Sequence, residues 1–419
     1  MTTKSHAATV LVATIALLAG PIRCLGQPAP QPGSDLRSGT IEVPGGSLFY
    51  EVRGKGEALV LIHDGLVHRE TWNEQFEPFS RGFRVVRYDR RGYGRSPAPT
   101  APYSNVEDLR AVLDYLRIDE ACLAGMSAGG RLAVDFTLAY PQRVKALVLV
   151  GAVVSGFGYS DHFLTRGGRL NAQDYASPES LRKFFAETDP YTIAPQNHEA
   201  RATLRRLLEA NPRSLDFSLD RFSLPPARPA LPALDEVKVP TLIVVGDQDI
   251  PDVHAHAGAL QAGIAGSQRV ILANAGHLVP MEQPATFNEL VMRFLKGRDL
   301  MRAIATGRIA EARVLLASLL DAYPASTLLS EREVNALGYR ALAEGKFDEA
   351  IGVFQINAET FPNSWNAHDS LGETYAAKGE VARAIECYER SVALNPASES
   401  GKAALKELRA RLAASPNGT

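Results

Sequence analysis

Short apolar segments alternate with helix-compatible segments over most of the first three hundred residues. The predicted strands are rich in Val, Leu and Ile and span residues 58–62, 83–88, 121–123, 147–151, 239–246 and 268–272. Continuous apolar runs of this length are typical of strands that are buried on both faces, as in a parallel sheet. The pattern therefore predicts an α/β fold, with a mostly parallel sheet and helices on both of its faces.

A different pattern begins beyond Lys296. Gly338, Ala350, Phe354 and Pro362 recur as Gly372, Ala384, Tyr388 and Pro396, each 34 positions later. This period, with small residues at helix contacts, an aromatic knob and a closing proline, is similar to that of tetratricopeptide repeats. The resemblance implies an all-α domain over residues 299–414, whose stacked helix pairs bind protein or mediate self-association. The alternative is an array that only braces the preceding domain.

The pentapeptide Gly125-Met-Ser127-Ala-Gly129 follows the predicted strand 121–123 and opens a helix-compatible stretch. A serine at a strand-to-helix turn has strained dihedrals and an exposed hydroxyl, and glycines on both sides allow the strand and helix to approach each other. The N-terminus of the helix also directs N–H groups at negative charge that develops near the hydroxyl. Ser127 is therefore the candidate nucleophile, with the backbone N–H of Ala128 as an oxyanion donor.

A serine hydroxyl is a weak nucleophile until a histidine accepts its proton, and a carboxylate fixes the tautomer of that histidine. One sheet-based arrangement has the order Ser, Asp, His, each just beyond the carboxyl end of a strand. Asp249 follows the predicted strand 239–246, and His277 follows the strand 268–272. We predict His277 as the general base and acid, and Asp249 as the orienting carboxylate.

Neighbouring residues compete for two of these roles. Asp247 and Asp252 lie close to Asp249, and His254 and His256 have an H-x-H spacing that could suggest a metal site. Their stretch is predicted to be helical, where side chains two positions apart diverge. No further Cys, His or acidic set completes such a site, so a metal is not expected. The predicted serine chemistry needs no cofactor.

Three more segments complete a family resemblance. They are His63-Asp-Gly-Leu66 with Trp72 nine positions after the histidine, Asp89-Arg-Arg-Gly-Tyr-Gly-Arg-Ser96, and Gly276-His-Leu-Val-Pro-Met-Glu-Gln-Pro284. With the serine pentapeptide, they resemble the α/β-hydrolase family, and within it serine esterases and lactonases, over residues 38–298.

The resemblance implies several site residues. It places the second oxyanion donor at Gly65, although Asp64 stands where the family usually has glycine, so Leu66 is the alternative donor. It places the carboxylate three residues after Gly246, which favours Asp249. The insertion at about residues 155–235 resembles the helical cap of the family, which covers the serine and selects substrates.

Several side chains of the cap and of the loop after residue 62 are expected to have structural rather than catalytic roles. The aromatic residues are expected to pack within the cap, with some lining the pocket: Phe157, Tyr159, Phe163, Phe184, Phe185, Tyr191, Phe217 and Phe222. The arginines are expected on solvated helix faces, with an anion site as the alternative: Arg166, Arg169, Arg182, Arg201, Arg205, Arg206 and Arg213. His63 is expected to bond to the backbone, with a role as proton carrier as the alternative. Asp64 and His68 are expected in a solvated loop, with tuning of the pocket as the alternative.

Composition limits the classes of partner. The chain has 419 residues, 45% hydrophobic and 22% charged, which suits two or three soluble domains. A net charge of −2 gives no reason to expect nucleic acid or an anionic membrane as a partner. Cys24, Cys122 and Cys387 do not imply a disulfide framework.

The N-terminus resembles an export signal. Residues 7–20 form an apolar stretch too short to span a bilayer, and Cys24-Leu-Gly26 has small residues at the positions that signal peptidases require. We predict a signal peptide over residues 1–26, with an uncleaved anchor as the alternative, and a flexible linker over residues 27–37. The mature protein is expected to be secreted or periplasmic, with no stable membrane span.

These features predict an exported serine hydrolase that cleaves carboxylic esters through an acyl-enzyme. The expected substrate is a small-molecule ester or lactone, and a protein partner or self-association is expected at the repeats. Two alternatives are a lactonase or related acyl hydrolase, and a catalytically inactive hydrolase-fold platform that binds partners.

Overall fold

The computed structural model describes residues 35–322 and 329–414. The predicted signal peptide and residues 27–34 of the predicted linker lie outside the described residues. The described residues from Leu36 onward form one compact unit. Within its described part, no helix is both long and apolar enough to cross a membrane.

Eight strands form one sheet, in the order β1-β2-β4-β3-β5-β6-β7-β8. They are β1 (Arg37–Val43), β2 (Gly46–Arg53), β3 (Ala58–Ile62), β4 (Arg84–Tyr88), β5 (Ala121–Met126), β6 (Val144–Val150), β7 (Thr241–Gly246) and β8 (Gln268–Leu272). The pairs β1–β2 and β2–β4 are antiparallel, and all other pairs are parallel. The prediction of a mostly parallel sheet is confirmed, and the β1–β2 hairpin adds an antiparallel edge.

The first group of helices surrounds and covers this sheet. It comprises α1 (Asn73–Ser80), α2 (Asn105–Tyr115), α3 (Ala128–Ala139), α4 (Asp161–Leu164), α5 (Pro178–Lys183), α6 (His198–Glu209), α7 (Pro251–Gly263), α8 (Val279–Glu282) and α9 (Pro284–Ala305). Short 3₁₀ segments cover Arg69–Trp72, Pro141–Arg143, Asp174–Ala176, Phe217–Phe222 and Leu231–Glu236, and Phe184–Thr188 is a π-helical turn. Helices α4, α5 and α6 lie within the predicted cap.

The sheet has a hydrophobic core on each face, because successive side chains of a strand point to opposite faces. Along β3, Leu59 and Leu61 belong to one core, and Val60 and Ile62 to the other. Strand register aligns Gly125 with Ile62 of β3 and with Leu149 of β6. The carboxyl ends of the parallel strands therefore meet at one edge of the sheet, which is where ligands bind in open α/β sheets.

The C-terminal region is all-helical and consists of packed helix pairs, as predicted. Its helices are α10 (Ile309–Ala322), α11 (Glu331–Ala343), α12 (Phe347–Thr360), α13 (Trp365–Lys378), α14 (Val381–Leu394) and α15 (Glu399–Ala414). The small residues of the repeat pattern face its aromatic knobs. A Cβ at Gly338 would lie 2.5 Å from the Phe354 ring, and a Cβ at Gly372 would lie 3.0 Å from the Tyr388 ring.

Helix α9 joins the two regions without a break at residue 298, the predicted domain boundary. Leu295 packs in a core of the sheet region, whereas Leu300 and Ile304 pack in the first apolar cluster of the repeats. One helix therefore contributes to both cores.

Candidate active site

Ser127 stands at a sharp turn between β5 and α3. Its backbone has φ 52° and ψ −114°, a left-handed conformation that strains a residue with a Cβ. The Ser127 amide donates to the Val150 carbonyl at 2.8 Å, and its carbonyl accepts from the Arg131 amide at 3.0 Å. These two bonds hold the turn in its strained form at the carboxyl edge of the sheet.

The glycines of the pentapeptide allow this turn to form. A Cβ at Gly129 would lie 2.4 Å from the Ile62 carbonyl oxygen, and a Cβ at Gly125 would lie 2.4 Å from the Gly129 carbonyl oxygen. Contacts this short with backbone atoms are not tolerated. The close approach of strand and helix that the sequence predicts is confirmed.

His277 and Asp249 form a buried pair at the ends of β8 and β7. The Nδ1 atom of His277 lies 2.7 Å from the Oδ2 atom of Asp249. The competing carboxylates bond elsewhere: Asp247 accepts from the Ala275 amide at 3.2 Å, and Asp252 accepts from Ser160. Of the three candidates, Asp249 is therefore the one that contacts the histidine.

The competing histidines lie on α7. His256 is buried, and its Nδ1 atom accepts from the Val154 amide at 3.1 Å. Burial lowers the pKa of His256 to about 4. Among residues 35–322 and 329–414, no group of three or more His, Cys, Asp or Glu side chains could hold a metal ion. Neither His254 nor His256 lines the cavity at Ser127.

Two opposing effects set the basicity of His277. Burial of the ring lowers its pKa. The charge of Asp249 and the hydrogen bond to Asp249 raise the pKa and together outweigh burial, so the pKa of His277 lies above the ordinary value of 6.5. The bond also makes Nδ1 the protonated nitrogen, which leaves Nε2 as the acceptor. An acceptor of this kind is what a serine nucleophile requires.

The backbone around His277 is fixed by the cap. The His277 amide donates to the Tyr191 carbonyl at 2.8 Å, while the Glu282 carboxylate accepts from the amides of Gly276 and Ala194, both at 2.8 Å. Burial raises the pKa of Glu282 to about 7. The histidine loop and the cap segment are therefore one hydrogen-bonded unit.

Ser127 and His277 line the same cavity, whose volume is about 530 Å³. Gly65 and Ala128 line it too, as do cap residues that include Tyr159, Phe163 and Phe185. The prediction that some cap aromatics line the pocket is confirmed. Four of the five predicted site residues are thus gathered at one cavity, and the fifth, Asp249, contacts His277.

The loop after β3 is held by the Asp64 side chain. Its Oδ1 atom accepts from the amides of Leu66 at 2.5 Å and of Val67 at 2.8 Å. The Leu66 amide is therefore already bonded, which removes the alternative oxyanion donor. A Cβ at Gly65 would lie 3.7 Å from the Ala128 Cβ, so the two remaining candidate donors are neighbours.

The histidine of this loop is structural, as expected. His63 is fully buried; its Nδ1 atom lies 2.7 Å from the Asp64 carbonyl, and its Nε2 atom accepts from the Arg90 amide at 3.0 Å. Burial, followed by the charge of Arg90, holds the pKa of His63 well below its ordinary value. A ring with both nitrogens bonded and a low pKa is not available as a proton carrier.

Two expectations about solvent exposure are wrong. Asp64 and His68 are buried rather than in a solvated loop, because Asp64 caps backbone amides and His68 contacts the Asn211 amide group at 2.7 Å. Arg166 is only 7% exposed rather than on a solvated helix face, because its guanidinium forms a two-point ion pair with the buried Asp189. Arg166 also lines the Ser127 cavity.

Sequence reasoning missed other residues at the site. Gly151, at the end of β6, lies against the His277–Asp249 pair: a Cβ there would be 2.9 Å from His277 Nδ1. The sequence feature that could have identified Gly151 is its position at the carboxyl end of a predicted strand. Arg90 and Arg131 line the cavity, and their only signal was proximity to the two motifs that contain them.

Two segments of the chain match known protein families. Residues 59–290 match the Alpha/beta hydrolase family, and residues 365–398 match the Tetratricopeptide repeat. The chain is 34% identical to the 2-hydroxy-6-oxononadienedioate/2-hydroxy-6-oxononatrienedioate hydrolase of Klebsiella pneumoniae, over 57% of this chain and 87% of that protein.

Two solved structures resemble the sheet region. One is Est816, described as an N-acyl homoserine lactone degrading enzyme, with a TM-score of 0.52 and 26% identity over 61% of this chain and 100% of that one. The other is a thermophilic esterase from Thermogutta terrifontis, with a TM-score of 0.50 and 25% identity over 62% of this chain and 98% of that one. With its matched region and the strand order of its sheet, this chain belongs to the alpha/beta hydrolase family and carries tetratricopeptide repeats after the hydrolase region.

Proposed function

We propose that this chain is a serine hydrolase that cleaves carboxylic esters through a Ser127–His277–Asp249 triad. The observation that carries the proposal is the buried His277–Asp249 pair, whose histidine lines the same cavity as the strained Ser127 turn. Strain at a non-glycine residue persists where the surrounding structure enforces it, and it clusters at functional sites. The arrangement suits a nucleophile that needs an adjacent base.

The proposed reaction has two halves. The Ser127 Oγ atom attacks the ester carbonyl while its proton passes to His277 Nε2, and the N–H groups of Gly65 and Ala128 bind the oxyanion. His277 returns the proton to the departing alkoxide, which leaves as the alcohol. Water then repeats the sequence on the acyl-enzyme, giving the carboxylic acid and free Ser127. Asp249 stabilises the imidazolium in both halves.

A second candidate bond comes from the relatives. The compound named in the Klebsiella pneumoniae relative is a diacid with a ketone and no ester, so its hydrolysis breaks a carbon–carbon bond. The lactone-degrading neighbour favours a cyclic ester instead. A serine, a base and an oxyanion hole suit an ester, a lactone and a ketone whose carbon–carbon bond is cleaved, because each reaction passes through a charged oxygen at the attacked carbonyl.

The test compares a fluorophosphonate probe and a panel of substrates on the wild type and on Ser127→Ala. We expect the probe to label the wild type and not the variant, and 4-nitrophenyl esters to be turned over faster than lactones or a 2-hydroxy-6-oxodienoate. Ser267→Ala, remote from the cavity, serves as the matched control and retains labelling. A folded wild type that neither reacts with the probe nor turns over any substrate would favour the inactive binding platform.

We also propose export to the periplasm or the exterior, and protein binding or self-association at the repeats. The apolar stretch of residues 7–20 supports the former, and the stacked helix pairs support the latter. N-terminal sequencing of the protein from cell fractions tests export, with cleavage before Gln27 as the expected result. Sedimentation of the full chain tests self-association.

A further inference from the structure

The cavity at Ser127 is lined by positively charged side chains and by no negatively charged one. Of the side chains that line it, three are arginines and none is a carboxylate. Arg90, Arg131 and Arg166 are those cations, and they come from separate parts of the chain: the turn after β4, helix α3 and the cap. The field of such charges is stronger at a protein site than in bulk water, because the effective dielectric constant is lower there.

The charge of Arg166 is already matched. Its guanidinium bonds to Asp189 at 2.5 and 3.2 Å, and Asp189 is fully buried. The guanidinium also lies 5.3 Å from the centre of the Tyr191 ring. Arg166 therefore braces the cap, and a substrate anion would compete with Asp189 for it.

The charge of Arg90 has no carboxylate partner within 4 Å among the described residues. Its Nη2 atom donates to the Asp64 carbonyl at 2.5 Å, and its Nε atom is buried with no acceptor. Arg90 is only 7% exposed, so solvent screens it weakly. Arg90 therefore contributes a fixed positive charge, but its guanidinium has little freedom to bind a ligand directly.

Arg131 is better placed than Arg90 or Arg166 to bind a ligand. It lies one helical turn after Ser127 on α3, and for its guanidinium the described chain supplies no ion pair within 4 Å and no hydrogen bond. It lines the Ser127 cavity and also an adjoining cavity of about 540 Å³. The acidic residue of its helix, Asp135, interacts with the charge of Arg131 without an ion pair. The Asp135 carboxylate accepts from the Ser155 hydroxyl at 2.6 Å and lines only the adjoining cavity.

We propose that Arg131 binds a carboxylate group of the substrate, within the positive field of Arg90, so that the site selects esters that carry a second, ionised carboxyl group. A guanidinium matches a carboxylate in geometry as well as charge, through two parallel N–H···O bonds. The nearby Asn105 and Ser223 side chains, which line both cavities, offer further polar contacts. The role in catalysis rests on the proposed hydrolysis, whereas the binding does not.

The experiment compares three esters of matched size: 4-nitrophenyl pentanoate, the mono-4-nitrophenyl ester of glutaric acid, and 4-carboxyphenyl pentanoate. The carboxylate is absent in the first, on the acyl side in the second and on the alcohol side in the third. We expect Arg131→Met to lower kcat/KM for one of the carboxylate esters by about 10- to 100-fold more than for the neutral ester. Arg131→Lys, which keeps the charge, restores part of that difference.

Arg169→Met is the matched control, because Arg169 is an exposed arginine of the cap outside the cavity. It leaves the ratio between esters as in the wild type. Raising the ionic strength weakens the preference of the wild type for the carboxylate ester. A wild type that hydrolyses these esters without such a preference, or a preference that Arg131→Met leaves intact, overturns the proposal.

Calorimetric binding of glutarate separates this proposal from the proposed hydrolysis. We expect glutarate to bind the wild type and Ser127→Ala alike, and to bind Arg131→Met at least 10-fold more weakly. If no ester is turned over but this pattern holds, the hydrolytic function fails and the carboxylate subsite stands. Equal binding by the wild type and Arg131→Met would overturn the subsite, whatever the turnover.

Discussion

The Asp249 Oδ2 atom lies 2.7 Å from the His277 Nδ1 atom, and the Asp249 side chain is entirely shielded from solvent. Gly151 lies on the other side of the pair, where a Cβ would be 2.9 Å from His277 Nδ1 and 3.3 Å from Asp249 Oδ2. The ring is thus fixed by a hydrogen bond and by close packing. Its orientation and its basicity have a common origin in Asp249.

The first prediction concerns pH. Imidazolium cannot accept the Ser127 proton, so kcat/KM rises as the pH passes upward through the pKa of His277. Asp249 raises that pKa above its ordinary value, so the midpoint of the rise is expected above about 6.5. Asp249→Asn removes the negative charge, so the midpoint moves to lower pH and kcat falls by about 1,000-fold or more. Ester hydrolysis rates between about pH 5 and pH 9 measure both effects.

Asp247→Asn provides the control for that profile. Asp247 accepts from the Ala275 amide and does not contact His277. Its variant is therefore expected to keep the midpoint of the wild type. An unchanged midpoint in Asp249→Asn would contradict the role given to Asp249, even if its rate were lower.

The second prediction concerns the oxyanion loop. Asp64 Oδ1 accepts from the amides of Leu66 and Val67, which fixes the loop next to Gly65. Asp64→Ala leaves those amides without an acceptor and lets the Gly65 amide turn away, so kcat is expected to fall by about 10- to 100-fold. Steady-state kinetics with a 4-nitrophenyl ester give the measurement.

Asp64→Asn separates the acceptor from the charge, because asparagine keeps an Oδ1 acceptor. The decrease in kcat relative to the wild type is expected to be less than about one tenth as large in Asp64→Asn as in Asp64→Ala. Equal damage in the two variants would show that the charge of Asp64, rather than its hydrogen bonds, supports the site.

The elements that the sequence could predict are those with a local cause. Strands β3 and β8 match their predicted bounds. The apolar run of β3 fits a strand that is buried on both faces, whereas β8 is a mostly exposed edge strand that its short Val, Ile and Leu run was enough to predict. The β1–β2 hairpin was missed because its burial alternates irregularly and because a charged residue, Glu51, is largely buried in it by ion pairs with Arg69 and Arg87. The helix pairs were predictable because small and aromatic residues recur at a fixed period.

The features that the sequence could not predict depend on distant partners. Arg166 is buried because Asp189, 23 residues later, forms an ion pair with it. Arg131 resembles any helix-surface arginine until the cap closes a cavity around it. Burial of a charged side chain is set by tertiary contacts, and neither propensity nor periodicity reports those contacts.

The third prediction concerns the glycine that follows the nucleophile by two residues. A Cβ at Gly129 would lie 2.4 Å from the Ile62 carbonyl oxygen and 2.5 Å from that of His63. Both oxygens belong to backbone, so α3 and β3 would have to separate. Gly129→Ala is therefore expected to lower the free energy of unfolding by about 1–3 kcal/mol and to reduce kcat. Urea unfolding monitored by fluorescence measures the first effect.

Gly158→Ala is the matched control, since a Cβ at Gly158 meets nothing within 4 Å. Its effect on the free energy of unfolding is expected within about 0.5 kcal/mol. If the two alanine variants were equally stable, the tight contact between the Ser127 turn and β3 would not hold in solution.

The fourth prediction concerns the boundary within α9. Up to residue 298 the helix is bound to the hydrolase: Lys296 donates to the Gly82 carbonyl at 2.9 Å, and Arg298 pairs with Glu57 at 3.0 Å. Beyond it, Leu300 and Ile304 are buried only in the repeat cluster. A fragment of residues 35–298 is expected to be soluble and to cleave small esters at a rate within about threefold of the full chain.

A fragment of residues 35–305 is the informative comparison, because it keeps Leu300 and Ile304 but removes the helices that cover them. Exposed apolar side chains on one helix face promote association, so this longer fragment is expected to aggregate more than the shorter one. Gel filtration and light scattering compare the two at equal concentration. If both fragments are insoluble, the repeats are required for the hydrolase region to fold, and the boundary at residue 298 is not a domain boundary.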